Sequence, residues 1–357
     1  MTFVKNTLLA LVSTLVTLIV LELLLQRFLD PARLYSAFHV VPALNQWKQE
    51  VDFWSRYREH NMVFLNHDPM LGWDFDRGQD RIRGPRVVSE APPENELRIV
   101  AIGDSFTYGV DVDPHESYSA VLDGIDGVQA LNMGVPGYGI DQAFLKFQEF
   151  GRKYQPDVVV FGIYVSDYER SSIGFTASAK PRFYLQDGQL SLEGQPVATP
   201  AQEFERIDRA LADKVYLFEG VRNQWRKALV TDSDASRFFT ETDEVVRHIL
   251  ASLQHDLNDE QTLMVIHIPR AEAFLEAHKL RDEMSRRLRS IYAALGIPNV
   301  DLTTEFVTDR DAAVAFEQYY VHRDDGSVGH LSADGHSRVA QLIRQALAEQ
   351  AVLLPGP

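Results

Sequence analysis

The chain has 357 residues, of which 45% are hydrophobic and 24% charged, the balance of a globular protein able to bury one large core or two modest ones. Acidic side chains number 51 against 35 basic ones, a formal net charge of −16, which repels phosphate backbones and argues against a nucleic-acid partner. There is no cysteine, so disulfides and cysteine-ligated metals are excluded, although no compartment is thereby assigned.

Residues 8–25 are apolar apart from Ser13, Thr14, Thr17 and Glu22. As a helix this stretch extends about 27 Å, the thickness of bilayer hydrocarbon. Glu22 falls near its far end, within reach of headgroups. The bulky run Leu23-Leu24-Leu25-Gln26-Arg27-Phe28 shows no small-residue cleavage pattern, so the expectation is an uncleaved membrane anchor over 1–30 rather than a signal peptide. Lys5 on one side and Arg27 and Arg33 on the other leave the orientation open.

A lead-in region, 31–95, carries aromatics without strand–helix alternation, and Pro92-Pro93 closes it. From there to 352 the pattern predicts an α/β fold. Strands are expected at 97–102, 128–133, 157–163, 262–268 and 299–302. Helices are expected at 141–153, 240–255, 271–295 and from 332 to about 351. The gap between the third and fourth strands is too long for one crossover. We read 170–236 as an insertion, with a hairpin at 183–190 turning on Asp187-Gly188. It either shapes a substrate pocket or is a surface excursion.

The first strand runs directly into Gly103-Asp104-Ser105-Phe106-Thr107-Tyr108-Gly109. A serine just past the end of a buried parallel strand projects into the crevice where open α/β sheets bind ligands. Ser105 is therefore a candidate nucleophile; the alternative is that Asp104 and Ser105 only cap a helix. A nucleophilic serine needs a base and oxyanion donors on the same sheet edge. After the second strand comes Asn132-Met133-Gly134-Val135-Pro136-Gly137-Tyr138-Gly139, in which Gly134 allows close backbone approach. Its glycine spacing does not fit a dinucleotide loop. After the third comes Tyr164-Val165-Ser166-Asp167-Tyr168. Near the carboxyl terminus, Ser332 suits an N-cap, which leaves His330 in the preceding loop as the base. His336 lies on the helix face shared with Val339, Ala340 and Ile343, a packing position. The cluster His322, Asp324, Asp325 and His330 has no familiar metal-ligand spacing, and no metal or organic cofactor is implied.

These four segments, in this order, resemble the SGNH/GDSL hydrolase superfamily, in its bacterial branch with an N-terminal membrane helix. The resemblance covers about 96–350. It implies a flavodoxin-like three-layer sandwich with a five-stranded, mostly parallel sheet. It places Ser105 as nucleophile, His330 as base, and the Ser105 and Gly134 N–H groups in the oxyanion hole. Two departures stand out. Where the family has an oxyanion asparagine this chain has Ser166, a shorter donor. Where the family has an aspartate three residues before the histidine it has Ser327, so Asp325, or else Asp324, is expected to orient His330. The implied activity is a serine esterase acting on an O-acyl ester, which the anchor suggests belongs to a cell-envelope glycan or lipid. The alternatives are an O-acyltransferase acting on an envelope polysaccharide, and a catalytically silent binding protein of the same fold. The resemblance puts the domain on the periplasmic or extracytoplasmic side.

Overall fold

A computed structural model describes residues 2–35, 45–60, 66–75, 81–84, 87–275, 279–308 and 311–350. The chain gathers into two compact units. One comprises Met1–Phe64, Phe175–Ala179 and Ala198–Phe238; the other comprises Leu65–Gly174, Lys180–Val197 and Phe239–Pro357. The lead-in region is thus shared between them, as is the 170–236 segment.

The larger unit holds a five-stranded sheet made of β1 (Leu97–Gly103), β2 (Val128–Asn132), β3 (Val158–Tyr164), β4 (Thr262–Ile268) and β5 (Asn299–Asp301). The order is β2-β1-β3-β4-β5, and every pair is parallel. Each strand lies within one residue of its expected bounds, because each is a near-continuous apolar run buried on both faces. On one face Ile99, Ala101, Val160 and Ile266 pack with Tyr118, Leu122, Val339 and Ile343. The opposite-facing Val100, Ile102, Val159 and Phe161 are equally buried. The result is a parallel sheet flanked by helices, with a switch in strand order at β1. The chain passes from β1 to β2 on one side and then to β3 on the other. The crevice at the carboxyl ends of β1 and β3 is where such sheets bind ligands.

The helices depart further from expectation. The expected 141–153 helix is α-helical only over Ile140–Lys146, then continues as a π turn at Phe147–Gly151 and a 3-10 turn at Arg152–Tyr154. Gly151 allows the turn, since a Cβ there would sit 2.6 Å from the Phe147 ring. The helix expected at 240–255 starts earlier, as Asp232–Asp256. Thr231 and Asp234 cap it reciprocally, each N–H donating to the other's side chain. The expected 271–295 helix is a 3-10 turn, Ala271–Phe274, and an α-helix, Lys279–Leu295; 276–278 lie outside the described residues. The last helix is Ala333–Glu349, capped by Ser332 as expected; position 351 lies outside the described residues. The hairpin pairs Arg182–Gln186 with Gln189–Glu193. Its turn residues Asp187 and Gly188 both have positive φ, 52° and 76°, as a two-residue turn of this kind requires.

In the smaller unit, helix Thr2–Phe28 contains a stretch, Val4–Phe28, long and apolar enough to cross a membrane, with mean hydropathy 2.6. Helix Gln46–His60 packs on Pro200–Ala212: the Trp54 and Phe204 rings stack at 6.0 Å, and Trp54 Nε1 donates to Asp208 at 3.1 Å.

Candidate active site

Ser105 is the first residue of a one-turn helix, Ser105–Tyr108, that leaves β1 through Gly103. Gly103 has φ +150°, and a Cβ there would overlap Thr107 Oγ1 and the Gly162 carbonyl. Gly162, its register partner on β3, is confined by the same hydroxyl. Two glycines side by side on adjacent strands therefore let Thr107 sink into the sheet, where it accepts a hydrogen bond from the Tyr118 hydroxyl at 3.1 Å. That seats the short helix and aims Ser105 at the crevice. Asp104 caps it by accepting the Phe106 N–H at 2.9 Å. Of the two residues read as a possible cap, Asp104 is the one that caps; the Ser105 side chain takes no part in it.

His330 lies on the second strand of a small hairpin, Tyr320–His322 with Val328–Leu331. Its Nε2 is 2.9 Å from Ser105 Oγ. Its ring stands edge-on to Phe106, with centroids 4.7 Å apart. The structure thus brings together the expected nucleophile and base. His336 is fully buried and accepts the Tyr118 N–H through Nδ1 at 3.2 Å.

The acid is not where it was expected. Asp325 sits in the exposed turn of the hairpin, its Oδ1 accepting the Ser327 N–H at 2.9 Å and the Ser327 hydroxyl at 2.6 Å. Asp324, in the same turn, is also exposed. The carboxylate at His330 belongs to Asp111, whose Oδ2 takes His330 Nδ1 at 2.8 Å and the His330 backbone N–H at 2.9 Å. Arg323 Nη2 adds contacts at 3.0 and 2.8 Å. Burial pushes the Asp111 carboxyl up, but the His330 and Arg323 hydrogen bonds outweigh it and hold the group down at about 2. An ionised carboxylate only accepts, so Nδ1 carries the imidazole proton. In the neutral ring Nε2 then accepts from the Ser105 hydroxyl.

Two residues that the sequence did not single out make this approach possible. Gly329 leaves room for Asp111, since a Cβ on it would overlap Asp111 Oδ2. Arg83 donates through Nη1 to the Tyr108 carbonyl and through Nη2 to the Val112 carbonyl at 3.3 Å. It thereby binds the end of helix Ser105–Tyr108 to the segment carrying Asp111.

The oxyanion donors are also rearranged. The Gly134 N–H is already donated to Asn132 Oδ1 at 3.0 Å. Asn132 Nδ2 in turn donates to the Thr107 carbonyl at 2.9 Å. A Cβ on Gly134 would come within 2.5 Å of the Tyr108 nitrogen. Gly134 therefore serves close packing against helix Ser105–Tyr108 rather than offering a free donor. Ser166 is buried at the exit of β3, and among the described residues its hydroxyl takes up no hydrogen bond. The Ser105 N–H, at the start of a helix, has no intrahelical acceptor.

No protein-family profile matches this chain, and no curated protein does. Among solved structures it is similar to a member of the lipolytic protein G-D-S-L family from Veillonella parvula, at 12% identity over 72% of this chain and 100% of that one, with TM-score 0.38. A lipase/acylhydrolase from Enterococcus faecalis matches at 17% identity over 71% and 96%, with TM-score 0.39. An alpha/beta hydrolase enzyme from the metagenome of Lake Arreo, Spain, matches at 15% over 71% and 95%, with TM-score 0.38. These likenesses are distant and assign no activity.

Proposed function

We propose that the protein is a serine hydrolase that cleaves an O-acyl ester through an acyl-serine intermediate. The observation that carries this reading is the continuous line from Asp111 to His330 to Ser105, with links of 2.8 and 2.9 Å. Nucleophile, base and orienting acid are each within hydrogen-bond reach of the next. Ser105 Oγ attacks the ester carbonyl while His330 Nε2 takes its proton. Asp111 stabilises the resulting imidazolium without itself becoming protonated. Collapse of the tetrahedral intermediate returns the proton from Nε2 to the departing alcohol. A water molecule, deprotonated by the same nitrogen, then attacks the acyl-serine and releases the acid. The Ser105 N–H is the first oxyanion donor, and a turn of the Ser166 hydroxyl towards the crevice supplies the second.

The membrane-length helix supports an ester of the cell envelope, on a glycan or a lipid; the extracytoplasmic side for the catalytic domain rests on the family resemblance. The silent-binding alternative drew on the absent oxyanion asparagine and on a displaced acid; the Asp111–His330 contact weighs against the second of these grounds. The test is incubation of the full chain with p-nitrophenyl acetate and with a serine-directed phosphonate. Turnover is expected, with label on Ser105 that is lost in S105A and H330A. Neither turnover nor label in the wild type would defeat the hydrolase reading.

A further inference from the structure

Helix Tyr216–Leu229 turns its polar side inward and its apolar side outward. Tyr216, Glu219 and Asn223 are its buried residues. Phe218, Val221, Trp225 and Leu229 are 63%, 56%, 65% and 68% exposed. Spacings of three, four and four residues align these four in one stripe. The inward side is held by polar contacts: Glu219 accepts the Tyr35 hydroxyl at 2.8 Å and pairs with Arg222 at 2.6 Å. The orientation is thus fixed by specific bonds and leaves an apolar face that water would not favour.

The helix's neighbour indicates what covers that face. Glu22 of the membrane-length helix caps the N-terminus of Tyr216–Leu229, its two oxygens accepting the Tyr216 and Leu217 N–H groups at 2.8 Å each. Residues 8–25 of the anchor span about 27 Å as a helix, so Glu22 lies in the last turn of the hydrocarbon-length stretch, within reach of the headgroups. The stripe therefore begins at the level where the anchor leaves the bilayer. Two exposed arginines border it: Arg226, and Arg222, whose charge is already paired with Glu219. In a chain of net charge −16, this pairing of arginines with an exposed tryptophan has the composition of an interfacial helix.

We propose that helix Tyr216–Leu229 lies in the headgroup region of the bilayer that the N-terminal helix crosses. Phe218, Val221, Trp225 and Leu229 point to the acyl chains, and Arg226 meets anionic headgroups. The inference rests on reading the N-terminal helix as membrane-spanning. It also accounts for Glu22, whose charge is taken up by the helix N-terminus.

The experiment uses full-length protein in vesicles of phosphatidylcholine and phosphatidylglycerol, with and without acyl-chain-brominated lipid. Trp225 emission is read as the difference between wild type and W225F. The protein is expected to float with the vesicles, and the Trp225 component to lose most of its intensity with brominated lipid while resisting aqueous iodide. Flotation with Trp225 quenched by iodide and not by brominated lipid overturns the docking and leaves the anchor standing. Failure to float overturns the anchor and the docking with it. The chain has no cysteine, so W225C carries a unique thiol; crosslinking of copies through it would place a second chain on the stripe and overturn the lipid assignment.

Discussion

Asp111 and His330, 219 positions apart in the chain, are joined twice: one carboxylate oxygen takes both the imidazole Nδ1 and the His330 backbone N–H. The ring's tilt and its tautomer are therefore set by a single atom. Removing that atom should cost catalysis far more than binding. We expect D111A to lower kcat on p-nitrophenyl acetate by about a thousandfold or more, with KM little changed. D324A and D325A should stay within about twofold of wild type, since truncating exposed side chains away from the reacting atoms rarely has larger effects. Loss of activity in D325A with D111A active would return the acid to the hairpin turn.

Gly329 should be sensitive too, though less than Asp111 itself. A methyl group there would occupy the place of Asp111 Oδ2, so G329A must push the carboxylate away from the ring. Displacement of a catalytic partner by about 1 Å costs on the order of a hundredfold. Steady-state kinetics of G329A, with far-ultraviolet circular dichroism as a check on folding, would measure this. A folded G329A with wild-type kcat would mean that Asp111 contributes little.

The extent to which this site could be read from sequence follows from the kind of signal each residue leaves. Strands buried on both faces are apolar runs, and Ser105 and His330 sit at the ends of recognisable elements. Asp111 leaves no such mark. It reaches His330 because Gly109, at φ +78°, turns the chain after the nucleophile helix and because Gly329 yields space. A linear reading searches near the histidine and finds Asp324 and Asp325 instead. Gly134 fails for a related reason: composition shows a small residue but not that Asn132 has claimed its N–H. The 170–236 segment reads in sequence as one insertion, whereas the structure divides it between two units. Its division between two units depends on contacts such as that of Trp54 with Phe204, which sequence periodicity does not carry.

Two buried histidines predict acid sensitivity. Burial, reinforced by the charges of Arg83 and His330, lowers His336 to about 3. Burial also lowers His267 to about 4, with Asp301 opposing and Arg289 assisting. In the unfolded chain both would titrate near 6.5. Below that pH the unfolded state binds protons that the folded state refuses, so stability falls as pH drops from about 6.5 towards 4. Asp111 contributes only further down: its stabilisation, full above about 3.9, is lost as pH falls towards its folded value. Thermal melts across this range should show a declining midpoint, and H336Q should flatten the slope by about one proton. An unchanged slope in H336Q would show that His336 is not held neutral.

Arg170 should prove the structural keystone of the crevice, and Asp167 should not. One nitrogen, Arg170 Nη1, meets Asp104 Oδ2 at 3.2 Å, the Tyr138 carbonyl at 3.1 Å and Asp167 Oδ1 at 2.7 Å. These acceptors lie beyond β1, β2 and β3 respectively, so a single side chain ties together the loops that frame Ser105. Burial and the charge of Asp104 push the Asp167 carboxyl well above its ordinary range, against the pull of Arg170. Asp167 is therefore the carboxyl whose charge this site resists, and an amide can replace it. D167N is expected to keep kcat within about fivefold and to melt near wild type. R170M leaves buried carboxyl groups facing one another without a cation, which costs about 3 kcal/mol of stability and loosens the nucleophile loop. Combining D167N with R170M should recover part of the lost melting temperature, because one of the two acids no longer needs a counter-charge. If R170M alone melts and turns over like wild type, the three loops are held by their backbones and the guanidinium is incidental.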